Sequence, residues 1–194
     1  MRGLKILLTG SACTGKTTLG RALCDLYPQF SIPNEAVRSL CDSYQFDFAN
    51  GNTGLQLAIL HYETLLMFDE NNYIGDGCIL NSRAYTTYYR DHGKCDMDDS
   101  TYRFYCDASR DILRKNVDLI IFCRSGEIPI VEDGFRITDS QYIDEVDRIN
   151  EELILKMGLK DKTIVPKGPV EERVAFCKPY IEKLLKSSGS ISIS

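Results

Sequence analysis

The 194-residue sequence has no apolar run approaching the roughly 20 residues of a membrane-spanning helix. Its N-terminal apolar stretch from Leu4 to Leu8 is too short for a signal peptide and leads straight into a glycine-bracketed loop. Eight cysteines are present (Cys13, Cys24, Cys41, Cys78, Cys95, Cys106, Cys123 and Cys177), yet no two form a C-x-x-C pair. Several lie within apolar patterns, where a free thiol acts as a small hydrophobe. That usage implies a reducing compartment and hence a cytoplasmic protein. Neither histidine, His61 or His92, has ligand or catalytic spacing. No Asn-Lys-x-Asp element is present, which argues against a GTPase switch. A net charge of −5 gives no general attraction to an anionic membrane and disfavours nucleic acid as a partner, although a local basic patch is compatible with it. What remains, 43% hydrophobic and 26% charged residues, is ordinary for one globular domain.

The most informative stretch is Gly10-Ser11-Ala12-Cys13-Thr14-Gly15-Lys16-Thr17, which fits G-x-x-x-x-G-K-[ST], the phosphate-binding P-loop. An apolar run precedes it and a helical pattern follows, with Leu19, Ala22, Leu23 and Leu26 at helical spacing. Glycines at both ends allow successive N–H groups to turn inward on a phosphate chain. The helix after the loop offers unpaired N–H groups to the same anion. Residues Gly10 to Thr18 are therefore the expected nucleotide cradle. Lys16 is expected to reach the β- and γ-phosphates, and the Thr17 hydroxyl to ligate Mg²⁺. Cys13 places a thiol beside this anion site.

Beyond the loop, apolar runs and helical patterns alternate to the C-terminus. Strands are expected at Leu4–Thr9, at Phe30-Ser31-Ile32-Pro33, at Cys78-Ile79-Leu80, over Val117–Cys123 and over Lys162–Pro166. Tyr73 to Gly77 reads as a turn. Helices are expected from Thr17 to Leu26, from near Glu35, from Leu55 to Phe68, from Ala84 to Arg90, from Tyr102 to Lys115, from Ser140 to Met157 and from Val170 to Leu185. This predicts an α/β three-layer P-loop NTPase fold, a five-stranded parallel sheet with helices on both faces. Residues 1–186 form one domain, with a cover segment near 124–138, and the serine-rich stretch 187–194 reads as a disordered tail.

In such a sheet, ligands lie at the carboxyl ends of the strands. Glu35 and Arg38 follow the expected second strand, Asn81 and Arg83 the third, and Arg124 the fourth. Asp133 and Arg136 fall in the loop after it. A phosphoryl-transfer enzyme needs a carboxylate to position the acceptor and cations to spread the charge of the moving group. Glu35 is the candidate base, with Lys16, Arg83 and Arg136 as candidate catalytic cations. Glu35, Arg38, Asn81, Arg83 and Asp133 are candidate acceptor contacts. Each also has a structural reading, Glu35 as a first-turn helix residue and the arginines as surface residues. The tyrosines of Tyr85-Thr86-Thr87-Tyr88-Tyr89 read as packing residues.

Together, Gly10–Thr17, Asn34-Glu35-Ala36-Val37-Arg38, the Thr86–Tyr89 region and Glu132-Asp133-Gly134-Phe135-Arg136 resemble the NadR-type nicotinamide riboside kinase group within a wider set of P-loop ATPase and kinase domains. The resemblance covers most of residues 4–175. It implies ATP- and Mg²⁺-dependent phosphorylation of a nucleoside-like hydroxyl. A second resemblance is to deoxynucleoside and nucleoside monophosphate kinases, where an acidic-Arg-Ser or Asp-Arg-Ser element ends the third strand. Here Glu35 and Ser82-Arg83 match in place, but Asn81 stands where the acid belongs, and an amide cannot accept a proton. The expectation is a kinase acting on a nucleoside- or nucleotide-type small molecule. A kinase acting on a modified nucleotide within DNA, or a nucleotide-dependent switch with a protein partner, are the competing readings.

Overall fold

The computed structural model describes residues 2–33, 51–69, 71–128 and 139–188. Among these, one sheet of four parallel strands runs in the order β2-β1-β3-β4. The strands are β1 (Lys5–Thr9), β2 (Tyr73–Asp76), β3 (Leu119–Phe122) and β4 (Thr163–Ile164). Helix α1 (Lys16–Leu26) follows β1 and α2 (Thr53–Phe68) precedes β2; α3 (Ile79–Asp91) and α4 (Asp99–Asn116) lie between β2 and β3. Helices α5 (Ser140–Lys156) and α6 (Val170–Ser187) stand on either side of β4 in the chain.

Strand β1 is central and every residue in it is buried, as a strand covered on both faces requires. Its two-residue alternation divides the core. Ile6 and Leu8 turn one way, with Ile74, Leu119 and Ile121, against Leu19 and Leu23 of α1 and Cys177, Ile181 and Leu185 of α6. Leu7 turns the other way, with Ile120 and Phe122, against Leu60 and Met67 of α2, Ile79 and Leu80 of α3, and Ile143 and Val146 of α5. Full burial of each such aliphatic side chain contributes about 1.5–3 kcal/mol.

Two expectations about the sheet are corrected. It has four strands among the described residues, not five. The expected second strand survives as a single parallel bridge from Ser31 to Tyr73, because Pro33 has no N–H to extend the ladder. The expected turn at Tyr73–Asp76 is strand β2, and the expected strand at Cys78–Leu80 instead opens α3. Gly75 has the local signature of a turn residue. It sits inside β2 because a Cβ there would lie 3.0 Å from both Leu7 Cδ2 and Tyr73 Cε2. The chain reverses instead at Gly77, where φ is +79°. A three-residue apolar run such as Cys78-Ile79-Leu80 carries no period by which strand and buried helix differ.

The register sets the functional edge. Thr9 of β1 stands beside Phe122 of β3, and Leu8 beside Asp76 of β2. The carboxyl ends of the three strands therefore meet where the P-loop begins.

Candidate functional site

After Thr9 the chain turns at Gly10, with φ +136°. A Cβ at Gly10 would lie 2.1 Å from the Cys123 carbonyl oxygen, so glycine alone lets the loop cross the end of β3. Gly15, in the left-handed region, is the N-cap of α1; no side chain caps that helix end and its first turn holds no acidic residue. The N–H groups and positive end of α1 are thus left open for an anion. Cys13, at φ +59°, is the one non-glycine residue with positive φ among the described residues. A loop with such left-handed steps gathers its amides into an anion-binding concavity. Lys16 Nζ lies on the loop itself, donating to the carbonyls of Gly10 at 3.0 Å and Ser11 at 2.5 Å and to the Thr14 hydroxyl at 3.3 Å.

Side chains from three helices hold the loop from outside. Asn81 of α3 accepts the Gly10 N–H on Oδ1 at 3.3 Å. Asp147 of α5 accepts the Ser11 N–H at 2.8 Å and, through its other oxygen, the Ser125 N–H at 2.5 Å. Arg173 of α6 donates to the Thr14 carbonyl at 2.7 Å. Below the loop, Thr9 donates its hydroxyl to Asn150 Oδ1 at 2.6 Å. All of these side chains are buried, where an unmet backbone group costs about 1–3 kcal/mol.

Asp76 ends β2 beside the P-loop strand, half-buried, and makes no ion pair or side-chain hydrogen bond among the described residues. It is the acid at a strand end that Asn81 is not.

Other polar side chains are buried in the helical layer over the sheet. The Arg83 guanidinium lies 4.8 Å from the Tyr102 ring and 5.7 Å from the Tyr105 ring, both on α4. Its Nε and Nη1 have no hydrogen-bond partner among the described residues. On α2, Gln56 Oε1 and Glu63 Oε2 are buried and likewise unpartnered. Glu63 is 4% exposed, and burial pushes its carboxyl up to about 8. Tyr85, Tyr88 and Tyr142 stack and edge-pack between α3 and α5.

Of the expected site residues, the structure brings together Gly10, Ser11, Ala12, Cys13, Thr14, Gly15, Lys16, Thr17 and Thr18 in one loop and helix start, with Asn81 bound to its first residue. Arg83 faces α4, and Arg124 pairs with Glu151 on α5 at 2.5 Å. Glu35, Arg38, Asp133 and Arg136 lie outside the described residues. Sequence reasoning missed Asp76, Asp147 and Arg173. Asp76 was hidden by the misplaced strand. Asp147 left a signal, since it and Asn150 interrupt the apolar face of α5 marked by Ile143, Val146 and Ile149. Arg173 showed only as one charge in a charged first turn.

A family model described as an AAA domain matches residues 5–173. No curated protein matches the chain. Several solved structures do. The NadR protein in complex with NR superposes with a TM-score of 0.71 at 17% identity, covering 99% of this chain and 53% of that one. The chain thus spans about half the length of that NadR protein. The deoxyadenosine kinase from M. mycoides with bound dATP gives 0.66 at 17% identity, with 92% and 99% of the two chains covered. The thymidylate kinase from Candida albicans gives 0.61 at 15%, with 100% and 96% covered. At such identities the likeness establishes the fold.

Proposed function

Because the chain belongs to this AAA-domain family and has the fold of P-loop kinases, we propose that it is an ATP-dependent phosphotransferase acting on a nucleoside- or nucleotide-type small molecule. The observation that carries this reading is the P-loop itself, with an uncapped α1 N-terminus and Lys16 already against the loop carbonyls. The amides of Cys13 to Thr18 hold the phosphates, and Lys16 shifts from the carbonyls to the β- and γ-phosphate oxygens. Thr17 and Asp76 fit Mg²⁺, since a hydroxyl and an uncommitted carboxylate are the hard oxygen donors it takes. Held by Thr17 and Asp76, Mg²⁺ would supply neutralising charge to the phosphates.

The acceptor binds at Arg83 of α3, whose Nε and Nη1 are buried without partners among the described residues. Such atoms are costly in an apolar layer and are satisfied by a polar ligand. Arg83 offers two donors to an anionic or hydroxyl-bearing group between the rings of Tyr102 and Tyr105. Glu35 orients or deprotonates the acceptor hydroxyl, and Arg136 completes the positive charge around the moving phosphoryl group; Arg38 and Asp133 bind the acceptor. A coupled phosphotransfer screen over nucleosides, nucleoside monophosphates and DNA, with Lys16→Ala and Glu35→Gln beside the wild type, tests the proposal. The expected result is transfer to a free nucleoside or monophosphate, abolished by both substitutions, with ATP binding lost only in Lys16→Ala. ATP hydrolysis stimulated by a protein partner, with no phosphorylated acceptor, contradicts it.

A further inference from the structure

Arg173 is the largest fully buried side chain among the described residues, with 1% of its surface exposed. Its Nε donates to the Gly168 carbonyl and its Nη1 to the Thr14 carbonyl, each at 2.7 Å. Nη2 has no hydrogen-bond partner, and the guanidinium forms no ion pair among the described residues. Its charge reaches the thiols of Cys123 and Cys177, while the carboxylates of Glu127 and Glu172 lie at Gly168 without bonding to the guanidinium. Burial raises the two thiols to about 11 and about 12, so both stay neutral and offer no counter-charge. Taking a cation out of water costs several kcal/mol, and two carbonyl dipoles return only part of that. An unbalanced buried charge beside a phosphate loop implies that the balancing charge arrives with a ligand.

The geometry indicates how it acts. Nη1 is 3.6 Å from the point where a Cβ on Gly15 would stand, so the guanidinium lies directly behind the Thr14–Gly15 peptide. In a trans peptide the C=O and N–H point in opposite directions. Drawing the Thr14 carbonyl toward α6 therefore turns the Gly15 N–H away from it, toward the hollow of the loop. Through Gly168 the same side chain ties the loop after β4 to the P-loop, and Glu127 accepts the Gly168 N–H at 3.2 Å.

We propose that Arg173 is a positioning residue for the phosphate donor, fixing the Thr14–Gly15 peptide from behind and setting an uncompensated buried positive charge against the anion that the loop receives. This rests on the triphosphate-binding reading above. The experiment is titration of wild type, Arg173→Lys and Arg173→Met with ATP and with inorganic tripolyphosphate, with thermal unfolding of each unliganded protein alongside. Arg173→Met is expected to weaken both ligands by a similar factor, about 10–100-fold. Arg173→Lys, which keeps the charge and one donor to Thr14, is expected to recover part of that loss. Unchanged affinities in the two variants overturn the proposal, even where melting temperatures fall, because that is the pattern of a purely structural residue. A wild type that binds ATP but phosphorylates no acceptor overturns the kinase reading instead, and the two affinity series still decide the role of Arg173. A wild type that binds neither ligand overturns both.

Discussion

Asn81 accepts the backbone N–H of Gly10 at 3.3 Å, so a side chain of α3 is bound to the first residue of the P-loop. Its amide is committed to loop geometry. Asn81→Ala leaves the buried Gly10 N–H unmet, and a loss of about 1 kcal/mol in unfolding free energy is expected, with weaker ATP binding. Asn81→Asp keeps an acceptor but adds negative charge beside the phosphates, so its stability stays near wild type while ATP affinity falls. Denaturant unfolding and ATP titration separate the two effects; tighter ATP binding by Asn81→Asp contradicts the assignment.

Asp76 carries the metal expectation. Asp76→Asn preserves shape and removes the charge. ATP binding without Mg²⁺ should remain near wild type or improve slightly. The gain in affinity on adding Mg²⁺ should largely vanish, with transfer down roughly 100-fold or more. Parallel titrations with and without Mg²⁺ check this, and an equal Mg²⁺ effect in both proteins removes Asp76 from the site.

Gly10 tolerates no side chain. Gly10→Ala places a Cβ 2.1 Å from the Cys123 carbonyl oxygen at a φ of +136°, and the obstruction is backbone on the central sheet. Destabilisation above about 3 kcal/mol and loss of nucleotide binding are expected. A calorimetric melt of the variant within a few degrees of wild type speaks against this geometry.

Glu63 makes stability depend on pH in a defined direction. Its carboxyl is raised to about 8 by burial, and Tyr73 and Cys78 beside it are likewise pushed up and stay neutral. The unfolded chain releases this proton near pH 4.3, about the ordinary glutamate value. The folded state therefore holds a proton that the unfolded state has lost. Glu63's contribution to stability is full below the unfolded value and falls as pH rises toward about 8. Glu63→Gln should remove this slope. Between pH 5 and 8.5 the wild type should lose on the order of 3–5 kcal/mol relative to the variant, read from urea unfolding at both pH values. Parallel stability profiles for the two proteins contradict a buried neutral Glu63.

Legibility in the sequence followed the range of the interactions. The P-loop, the helix after it and the α5 and α6 helices were readable because their signals are local: glycine spacing, helical period and a capping Asp139 that accepts the Gln141 N–H. The sheet was readable as parallel, but one strand was placed several residues late. There Gly75 fills a tight space against Leu7, a partner nearly seventy residues away, as their pairing in the β1–β2 ladder shows. A glycine kept for packing and one kept for a turn look alike in a sequence. Arg83 stands out in the sequence as a cation after an apolar run, whereas its position against Tyr102 and Tyr105 depends on how α3 meets α4.

The sequence by itself determined that a P-loop is present, because the motif belongs to consecutive residues from Gly10 to Thr17. Only the tertiary structure decided how that loop is held. Asn81, Asp147 and Arg173 reach it across separations of 71, 136 and 159 residues. No local pattern encodes such contacts, since each exists only once sheet and helices have packed and a buried backbone group demands its partner.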